Sequence, residues 1–495
     1  MIAGAPDGRV RDGQAPDLHA SGVPLVVDVD GTLLATDLLH EATLQLVVQH
    51  PLQVVRIPGW LAQGKAVLKA RLADHVDPGI DLVPLRAEVL LLMREAQAAG
   101  RPVYLASASD RRYVAALAER VGGIAGVFGS EDQVNLSGDA KAARLVGEFG
   151  AQGFDYVGDA AVDMPVWRAA RRPLVVARSD GFAARTLAAL PHAEIVARPR
   201  ATLRSYVRAL RTYQWAKNIL LFLPMIAGHR FDIQTTALTM MGFGCFCLAA
   251  SSAYVINDLL DLPSDREHAR KRHRPFAAGT IPVTHGTVLA GGMMVAAFGL
   301  SLLLPWQFTE VLAIYVGVTL AYSLVLKRKM LVDVVVLSGL YAIRVYGGLT
   351  AGHIVQTQWL LMFCLFLFLS LAVVKRCSEL VVRNAAGKVE SPNSLRWGRG
   401  YRVEDLGVLL SLGAAAGYGA VFVVALYLSS PEVKVLYEHP NRLWLICPLL
   451  VYWISRVLVL CNRGELHDDP VIFALTDRVS WLTAAGALGI TLFSV

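Results

Sequence analysis

Two aspartates stand two residues apart directly after an apolar run near the beginning of the chain. The run is "VPLVV" at 23–27, and Asp28, Asp30 and Gly31 follow it. Such a run predicts a buried strand of a parallel sheet, which delivers both carboxylates into the loop at its end. One carboxylate there can attack a phosphorus atom while the other protonates the leaving oxygen. Taken alone, these residues also fit an acidic turn without catalytic function.

Three further segments each carry polar residues at the end of an apolar strand or the start of a helix. They are "PVYLASAS" (102–109), "SGDAKAARL" (137–145) and "FDYVGDAAVDMPVW" (154–167), which contain Ser107, Lys141, and Asp159 with Asp163. Strand ends in an open α/β sheet converge on one crevice, so we expect these side chains to meet the two aspartates of the first strand. Asp28 and Asp159 could then hold Mg²⁺, which prefers carboxylate oxygen, while Lys141 would balance phosphate charge.

This ordered set of motifs resembles the haloacid dehalogenase-like (HAD) phosphatases. The resemblance implies an α/β Rossmann-like domain with Asp28 as the nucleophile and Asp30 as the general acid and base. The implied phosphoryl-binding residues are Ser107 and Lys141, and the implied magnesium ligands are Asp28, Asp30, Asp159 and Asp163. Residues 37–97 are mostly helical in pattern and fit a small helical cap that screens substrates.

A second acidic group lies in "YVINDLLDLPSDREHARKRHRPFAAGT" (254–280), next to many basic residues. Its members are spaced i, i+4 and i+8 with one flanking carboxylate: Asn257, Asp261, Asp265 and Asp258. A continuous helix would place the spaced residues on one stripe, although Pro263 predicts a kink or restart. Carboxylates gathered at the end of an apolar helix repel one another unless a cation joins them, and Mg²⁺ would also bind a diphosphate. A solvated acidic loop with a basic flank is the alternative.

The elements that position this second group are apolar helices. The chain of 495 residues is 55% hydrophobic, and long apolar runs recur after residue 216. So many runs of bilayer-spanning length would overfill a soluble core, so we predict an all-α membrane domain. Its nine predicted spans are 217–230, 234–258, 284–304, 308–325, 331–351, 357–376, 405–429, 441–461 and 479–495. The predicted organisation is a disordered 1–22, an α/β domain at 23–197 and the membrane domain at 198–495.

Basic residues alternate along the membrane domain. They crowd five segments: 203–217, 266–274, 327–329, 375–402 and 463–478. The positive-inside rule predicts that these segments and the amino-terminal domain lie on the cytoplasmic side of a bacterial inner membrane. The same placement favours a membrane flank over nucleic-acid binding for the basic cluster at 270–274. The six cysteines lack CxxC spacing and are predicted to be buried apolar residues.

The N-D-x-x-D-x-x-x-D pattern of the second group resembles the UbiA superfamily of intramembrane prenyltransferases, over residues 203–495. Quinone-forming members carry a second D-x-x-x-D motif, whereas this chain has "YSLVLKRKMLVDVVVLSGLYAIRVYGG" (322–348) with a single Asp333. Together with "RTYQWAKNILLFLP" (211–224) and "VVKRCSEL" (373–380), this segment is similar to the decaprenyl-phosphate phosphoribosyltransferase branch. The missing aspartate disfavours prenylation of an aromatic ring.

That branch implies transfer of phosphoribose from phosphoribosyl pyrophosphate (PRPP) to a polyprenyl phosphate. The implied magnesium ligands are Asn257, Asp258, Asp261 and Asp265, of which Asp258 and Asp261 are also assigned as catalytic. The implied substrate-binding residues are Lys217, Asn257, Arg266, Arg274, Tyr322, Lys327, Arg328 and Arg344. A basic membrane anchor is the alternative for Lys217, and Asp333 either binds a metal or pairs with Lys327.

The two halves together suggest two consecutive reactions. The transferase would release a lipid-linked ribose that still carries a 5-phosphate, and the phosphatase-like domain would remove it. The product would be polyprenyl phosphoribose, which would feed arabinose-bearing glycans of the cell envelope. One alternative is prenyl transfer to an aromatic acceptor of a quinone or haem pathway. Another is a transporter with a regulatory domain, which the lack of an apparent inverted repeat disfavours. The sequence leaves the lipid length and the formation of a homo-oligomer open.

Overall fold

The computed structural model describes residues 22–131, 134–355, 358–385, 400–431, 433, 437–466 and 470–494. The chain divides into two compact units, and each unit is built from two separate stretches of sequence. The first unit comprises Met1–Ser205 and Leu260–Thr284, and the second comprises Tyr206–Leu259 and His285–Val495. The sequence predicted one boundary near 197 and did not anticipate that Leu260–Thr284 packs with the first unit. Almost all of the predicted disordered segment 1–22 lies outside the described residues.

A six-stranded parallel sheet forms the centre of the first unit, which confirms the predicted α/β class. Its strands are β1 (Leu25–Val27), β2 (Val103–Asp110), β3 (Gly126–Ser130), β4 (Asp155–Gly158), β5 (Arg172–Val176) and β6 (Glu194–Ala197). The strand order is β3-β2-β1-β4-β5-β6. The chain therefore builds outward from β1 in one direction and then returns to its other side. The carboxyl ends of β1 and β4 meet at this reversal, where open α/β sheets bind ligands.

Both faces of the sheet are covered by apolar side chains. Leu25 and Val27 of β1 pack into one cluster, whereas Val26 between them packs into another. Because successive side chains of a strand point to opposite faces, a strand buried on both sides reads as a continuous apolar run. This explains why β1 shows no polar alternation in the sequence.

Among the described residues, eight α-helices lie between the first and the last strand in sequence. They are α1 (Leu38–Gln49), α2 (Ile57–Ala62), α3 (Lys65–His75), α4 (Ala87–Ala98), α5 (Arg111–Val121), α6 (Asp139–Phe149), α7 (Met164–Ala169) and α8 (Asp180–Ala189). The first four lie between β1 and β2, in agreement with the helical pattern predicted for 37–97. Whether they act as a cap over a substrate stays a prediction.

The remaining α-helices of the described residues follow in sequence order. They are α9 (Leu203–Leu210), α10 (Leu223–Ala227), α11 (Ile233–Leu260), α12 (Leu262–Glu267), α13 (Val283–Ser301), α14 (Trp306–Leu324), α15 (Val332–Ala351), α16 (Gln358–Ala385), α17 (Leu406–Leu428), α18 (Ile446–Asn462), α19 (Pro470–Thr476) and α20 (Arg478–Leu492). Within the described residues, seven helical segments are long and apolar enough to cross a membrane. They are Ile233–Leu260, Val283–Ser301, Trp306–Leu324, Val332–Ala351, Gln358–Val382, Val403–Leu428 and Pro440–Asn462. The second unit is therefore a helical membrane domain, as the sequence predicted.

Two of the nine predicted spans are not among these seven segments. Residues 217–230 form part of the 3₁₀ helix Thr212–Phe222 and the short α10, and residues 479–495 lie mainly in α20, which has 15 residues. A helix of that length rises about 22 Å, less than the roughly 30 Å of a bilayer core. The multi-pass architecture is confirmed, and the count of nine stays a prediction.

Candidate active sites

The first candidate site lies at the carboxyl ends of β1 and β4. Asp28 follows β1 directly, Asp159 follows β4, and Asp163 ends the short turn that comes next. Lys141 reaches the same place from α6, and its Nζ lies 2.7 Å from Asp28 Oδ1 and 3.5 Å from Asp163 Oδ1. All four side chains are buried. The structure thus brings together four residues that the sequence assigned to one crevice.

The three carboxylates of this site are arranged as metal ligands could be. One oxygen from each of Asp28, Asp159 and Asp163 lies within 4.8 Å of the others, the one such group found in the described part of the chain. Burial raises the pKa of Asp28 to about 8, although the nearby charge of Lys141 acts to lower it. Burial likewise raises the pKa of Asp159 to about 6, although Arg178 acts to lower it. Buried hard oxygen ligands that repel one another fit Mg²⁺, which would relieve the repulsion.

Asp30 lies outside this group of three, although the sequence also assigned it as a metal ligand. Its Oδ2 accepts hydrogen bonds from the hydroxyls of Ser107 at 2.8 Å and Ser109 at 2.7 Å. Its Oδ1 accepts one from the backbone N–H of Leu38 at 2.8 Å. Burial raises the pKa of Asp30. These contacts occupy the carboxylate and suit the predicted role of general acid better than that of metal ligand.

Ser107 was predicted to bind a phosphoryl group. In the structure its hydroxyl donates to Asp30, and its oxygen also accepts from the N–H of Ser109 at 2.9 Å. Ser107 therefore lies beside the acid, at the end of β2. The role of Ser107 toward a phosphoryl group stays a prediction.

Two arginines near this site were missed by the sequence analysis. Arg178 forms an ion pair with Asp159, and the Arg86 Nε donates to the carbonyl of Gly31 at 3.1 Å. Gly31 has a φ of +77°, and a Cβ there would clash with both Arg178 and Asp159. Arg178 follows β5 by two residues, so the rule that strand ends converge could have found it. Both cations are placed to attract an anionic substrate.

Mg²⁺ binding by the first unit is expected to tighten as the pH rises from 6 to 8. Protons on Asp28 and Asp159, whose pKa values are raised to about 8 and about 6, compete with the metal. Displacing one proton makes the apparent affinity rise about tenfold per pH unit below the higher pKa. Calorimetric titration of the whole protein at three pH values measures this. The dependence between pH 7 and 8, which belongs to Asp28, should vanish in Asp28→Asn, and a pH-independent affinity in the unmodified protein would contradict the site.

The second predicted acidic group begins at the carboxyl end of α11. Asp258 is 2% exposed and forms an ion pair with Arg211, whose guanidinium lies 5.4 Å from the centre of the Tyr254 ring. Asn257 precedes it in α11, and Asp261 stands at the start of α12, where Pro263 restarts the helix as predicted. A charged residue at the end of an apolar helix is costly unless paired, so Arg211 compensates Asp258 in this state.

Asp265, the last member of the predicted acidic group, lies in the first unit. Its side chain is 1% exposed, and its Oδ2 accepts from Arg274 Nη1 at 2.6 Å. The other oxygen, Oδ1, accepts no hydrogen bond from the described residues, and the nearest ammonium, that of Lys271, is 4.0 Å away. Burial raises the pKa of Asp265, although the charge of Arg274 acts to lower it. A buried carboxylate oxygen in this position fits a divalent cation as its partner.

Arg266 does not fit its predicted role in substrate binding. Its two Nη atoms donate to the two carboxylate oxygens of Glu41 at 2.6 and 2.7 Å, and its Nε donates to the carbonyl of Ala277 at 3.2 Å. The pair is buried, with 4% exposure for Arg266 and 1% for Glu41. The guanidinium is therefore committed to a carboxylate, whereas Arg274 beside it contacts Asp265.

Arg344 is a buried cation of the membrane domain. Its Nε donates to Asn218 Oδ1 at 2.9 Å and its Nη2 to the Tyr315 hydroxyl at 3.0 Å. Its guanidinium also lies 5.5 Å from the centre of the Tyr341 ring, over which Lys217 Nζ lies at 5.7 Å. The described contacts of Arg344 are with neutral groups, so this buried cation is suited to pair with an anion.

Asp333 forms a buried ion pair with Arg376, while the two predictions for it, a metal or Lys327 as partner, stay predictions. Its Oδ2 accepts from Arg376 Nε at 2.6 Å, and its Oδ1 accepts from the Tyr401 hydroxyl at 2.5 Å. Arg376 Nη2 also donates to the hydroxyl of Tyr322 at 3.1 Å. Asp333 and Arg376 are at most 2% exposed, so they form a buried ion pair. Lys327 and Arg328 lie in the 3₁₀ turn before α15.

Comparison with known proteins decides the family of the second unit. The model of the UbiA prenyltransferase family matches residues 219–473. The chain belongs to this family. A decaprenyl-phosphate phosphoribosyltransferase of Mycolicibacterium smegmatis is 36% identical over 301 residues, which cover 58% of this chain and 93% of that protein.

A second relative matches both units of this UbiA-family protein. It is the uncharacterized protein y4nM of Sinorhizobium fredii, 36% identical over 468 residues, which are 94% of this chain and 89% of that one. Among solved structures, a UbiA homolog from Archaeoglobus fulgidus bound to GPP and Mg²⁺ covers 58% of this chain and 99% of its own, with 18% identity and a TM-score of 0.42. The similarity to this relative thus extends over both units of the chain.

Proposed function

We propose that this UbiA-family protein is a bifunctional enzyme that makes a lipid-linked ribose. The UbiA-family part of the chain transfers 5-phosphoribose from PRPP to a polyprenyl phosphate, and the phosphatase-like part at 23–197 hydrolyses the 5-phosphate of the product. One observation carries the proposal: a buried carboxylate site with a lysine is joined to a membrane unit similar to decaprenyl-phosphate phosphoribosyltransferases. Tethering the two sites raises the local concentration of the intermediate.

In the transfer step, an oxygen of the lipid phosphate attacks C1 of the ribose. The bond from C1 to the pyrophosphate oxygen breaks, and pyrophosphate leaves with the electron pair. Asn257, Asp258, Asp261 and Asp265 would hold Mg²⁺, which when bound supplies positive charge to the leaving pyrophosphate. Arg344 with Lys217 is placed to hold the phosphate of the acceptor, because Arg344 is buried among neutral partners. A phosphate oxyanion would balance that buried charge.

In the hydrolysis step, a carboxylate oxygen of Asp28 attacks the phosphorus of the 5-phosphate. The bond from phosphorus to the ribose oxygen breaks, and Asp30 gives its proton to that oxygen. Water then takes the phosphoryl group from Asp28 and returns a proton to Asp30, which releases inorganic phosphate. Lys141, 2.7 Å from Asp28, neutralises charge on the phosphoryl oxygens. Mg²⁺ held by Asp28, Asp159 and Asp163 would supply further positive charge there.

The proposed location is the cytoplasmic membrane of a bacterium, with the first unit on the cytoplasmic side. The chain is a multi-pass membrane protein by its family and its apolar helices. The side follows from the alternation of Lys- and Arg-rich connections described above. PRPP is a charged, water-soluble donor, so a catalytic face open to the cytoplasm suits it.

The test is a lipid assay resolved by mass. Purified whole protein receives Mg²⁺, PRPP and a polyprenyl phosphate, and the expected product is the lipid phosphate with one ribose and no 5-phosphate. Chelation of Mg²⁺ should abolish it. A product that keeps the 5-phosphate would contradict the proposed hydrolysis and leave the transfer intact. Absence of any PRPP-dependent product, with consumption of a prenyl diphosphate instead, would contradict the transfer and favour prenylation of an aromatic acceptor.

A further inference from the structure

The segment Leu260–Thr284, which joins α11 to α13, is anchored in the first unit by a buried ion pair. Arg266 of this segment and Glu41 of α1 are 225 residues apart in sequence and share two hydrogen bonds of 2.6 and 2.7 Å. Exposures of 4% and 1% place both charges away from water. Burying two charges costs free energy that their attraction only partly offsets, so such pairs are weak evidence of a stabilising role. A role in fixing geometry is the better explanation.

A close backbone contact fixes the other end of this connecting segment. Gly279 has a φ of +67°, and a Cβ at this position would lie 2.5 Å from the Cβ of Ala35 and 3.0 Å from Pro84. Phe276 and Ile281 on either side are 1% exposed. The connecting segment is thus held at two points, by the ion pair near its start and by a glycine contact near its end.

Glu41 also contacts the loop that carries the acid of the first site. The Thr36 hydroxyl donates to Glu41, and the Thr36 carbonyl accepts from the N–H of Gly31 at 2.9 Å. Glu41 lies in the first turn of α1, and this turn also contains Leu38, whose N–H donates to Asp30. A chain of hydrogen bonds therefore runs from the Asp30–Gly31 loop through Glu41 to Arg266.

On its other side, Arg266 is the neighbour of Asp265. Asp265 is 1% exposed and keeps one oxygen without a hydrogen-bond donor among the described residues. Fixing the Arg266 backbone and side chain therefore limits where the Asp265 carboxylate can point.

We propose that Glu41 is a positioning residue for the transferase reaction: through Arg266 it holds Asp265 in the orientation that binds the Mg²⁺–diphosphate of the donor. This inference rests on the proposed function of the second acidic group. It makes transfer sensitive to Glu41 of α1, which lies far from the acidic group in sequence.

The test compares steady-state transfer by Glu41→Gln, Arg266→Gln and the double variant. Each single change should raise KM for PRPP about fivefold, with kcat altered less than about twofold, because the donor site is loosened rather than dismantled. The double variant should be no worse than either single one, since both remove the same contact. Gly279→Ala, which displaces the segment without altering a charge, should raise KM similarly.

A matched control is Asp155→Asn, which breaks the buried ion pairs of Asp155 with Arg101 and Arg171 at the opposite end of the sheet. KM for PRPP should not change in this variant. Amide hydrogen exchange gives a readout that does not depend on the reaction: 260–284 should exchange faster in Glu41→Gln and not in Asp155→Asn.

Failure of the inference is distinct from failure of the function. The positioning role would be overturned if the unmodified protein makes the PRPP-dependent product and KM for PRPP is unchanged in Glu41→Gln, Arg266→Gln and the double variant. An unmodified protein without that product would overturn the function, and unchanged exchange of 260–284 in Glu41→Gln would then overturn the anchoring as well.

Discussion

Replacing Asp28 with asparagine is expected to leave the lipid product with its 5-phosphate. An amide nitrogen and a neutral carbonyl oxygen cannot attack phosphorus as a carboxylate does, and the group of three metal ligands loses a member. Removing a nucleophile of this kind lowers the rate by at least about 10³-fold. Transfer from PRPP should continue at its normal rate because Asp28 belongs to the other reaction.

The measurement is the ratio of phosphorylated to dephosphorylated lipid, followed over time by mass spectrometry. Asp180→Asn is a suitable control, because Asp180 is an exposed carboxylate of the same unit, paired with Arg200 at 2.6 Å. That control should give the dephosphorylated lipid at the normal rate. Formation of dephosphorylated lipid by Asp28→Asn at the normal rate would show that the first unit has another substrate.

The first site could be predicted from the sequence because its parts are local. Each of Asp28, Ser107 and Asp159 follows an apolar run, and the geometry of parallel sheets brings the ends of such runs together. Lys141 and Asp163 could be found for the same reason, since each lies within one turn of a helix start. Arg178 obeys the same rule and was overlooked because no companion motif marked it.

The contacts of Arg266 could not be predicted in this way. Its partner Glu41 is 225 residues away in sequence, and the residues flanking each of them form no motif that indicates the pairing. A basic residue directly after an acidic group suggested a phosphate ligand, whereas tertiary packing gave it a carboxylate. The boundary of the first unit was predicted incompletely for the same reason, because sequence order placed 260–284 between two membrane helices.

Asp333 shows a further limit of local patterns. Sequence proximity suggested Lys327 as its partner and gave no indication of the contacts with Arg376 of α16 and Tyr401. The sequence of a membrane helix does not show which face packs against its neighbours, because apolar residues occur on all of its faces. Pairings between membrane helices therefore had to come from the structure.

Replacing Asp258 with asparagine is expected to lower the rate of transfer from PRPP by about 10²- to 10³-fold, the cost of losing one group that stabilises developing charge. Hydrolysis of a lipid-linked ribose 5-phosphate supplied from outside should remain. The change keeps the shape of the side chain but removes the charge that pairs with Arg211. The measurement is the initial rate of transfer as a function of Mg²⁺ concentration.

Two further variants separate a metal ligand from a structural ion pair. Arg211→Gln removes the same ion pair from the other side, and it should lower transfer far less if Asp258 binds Mg²⁺. Asp477→Asn removes a comparable ion pair with Arg456, 2.7 Å apart in the same unit, and should leave transfer unchanged. If the transfer rate falls equally in Asp258→Asn and Arg211→Gln and the Mg²⁺ dependence is unaltered, Asp258 has a structural role through its ion pair. A loss confined to Asp258→Asn, with more Mg²⁺ needed for half-maximal rate, would assign Asp258 to the metal and its diphosphate, because removing a ligand weakens metal binding directly.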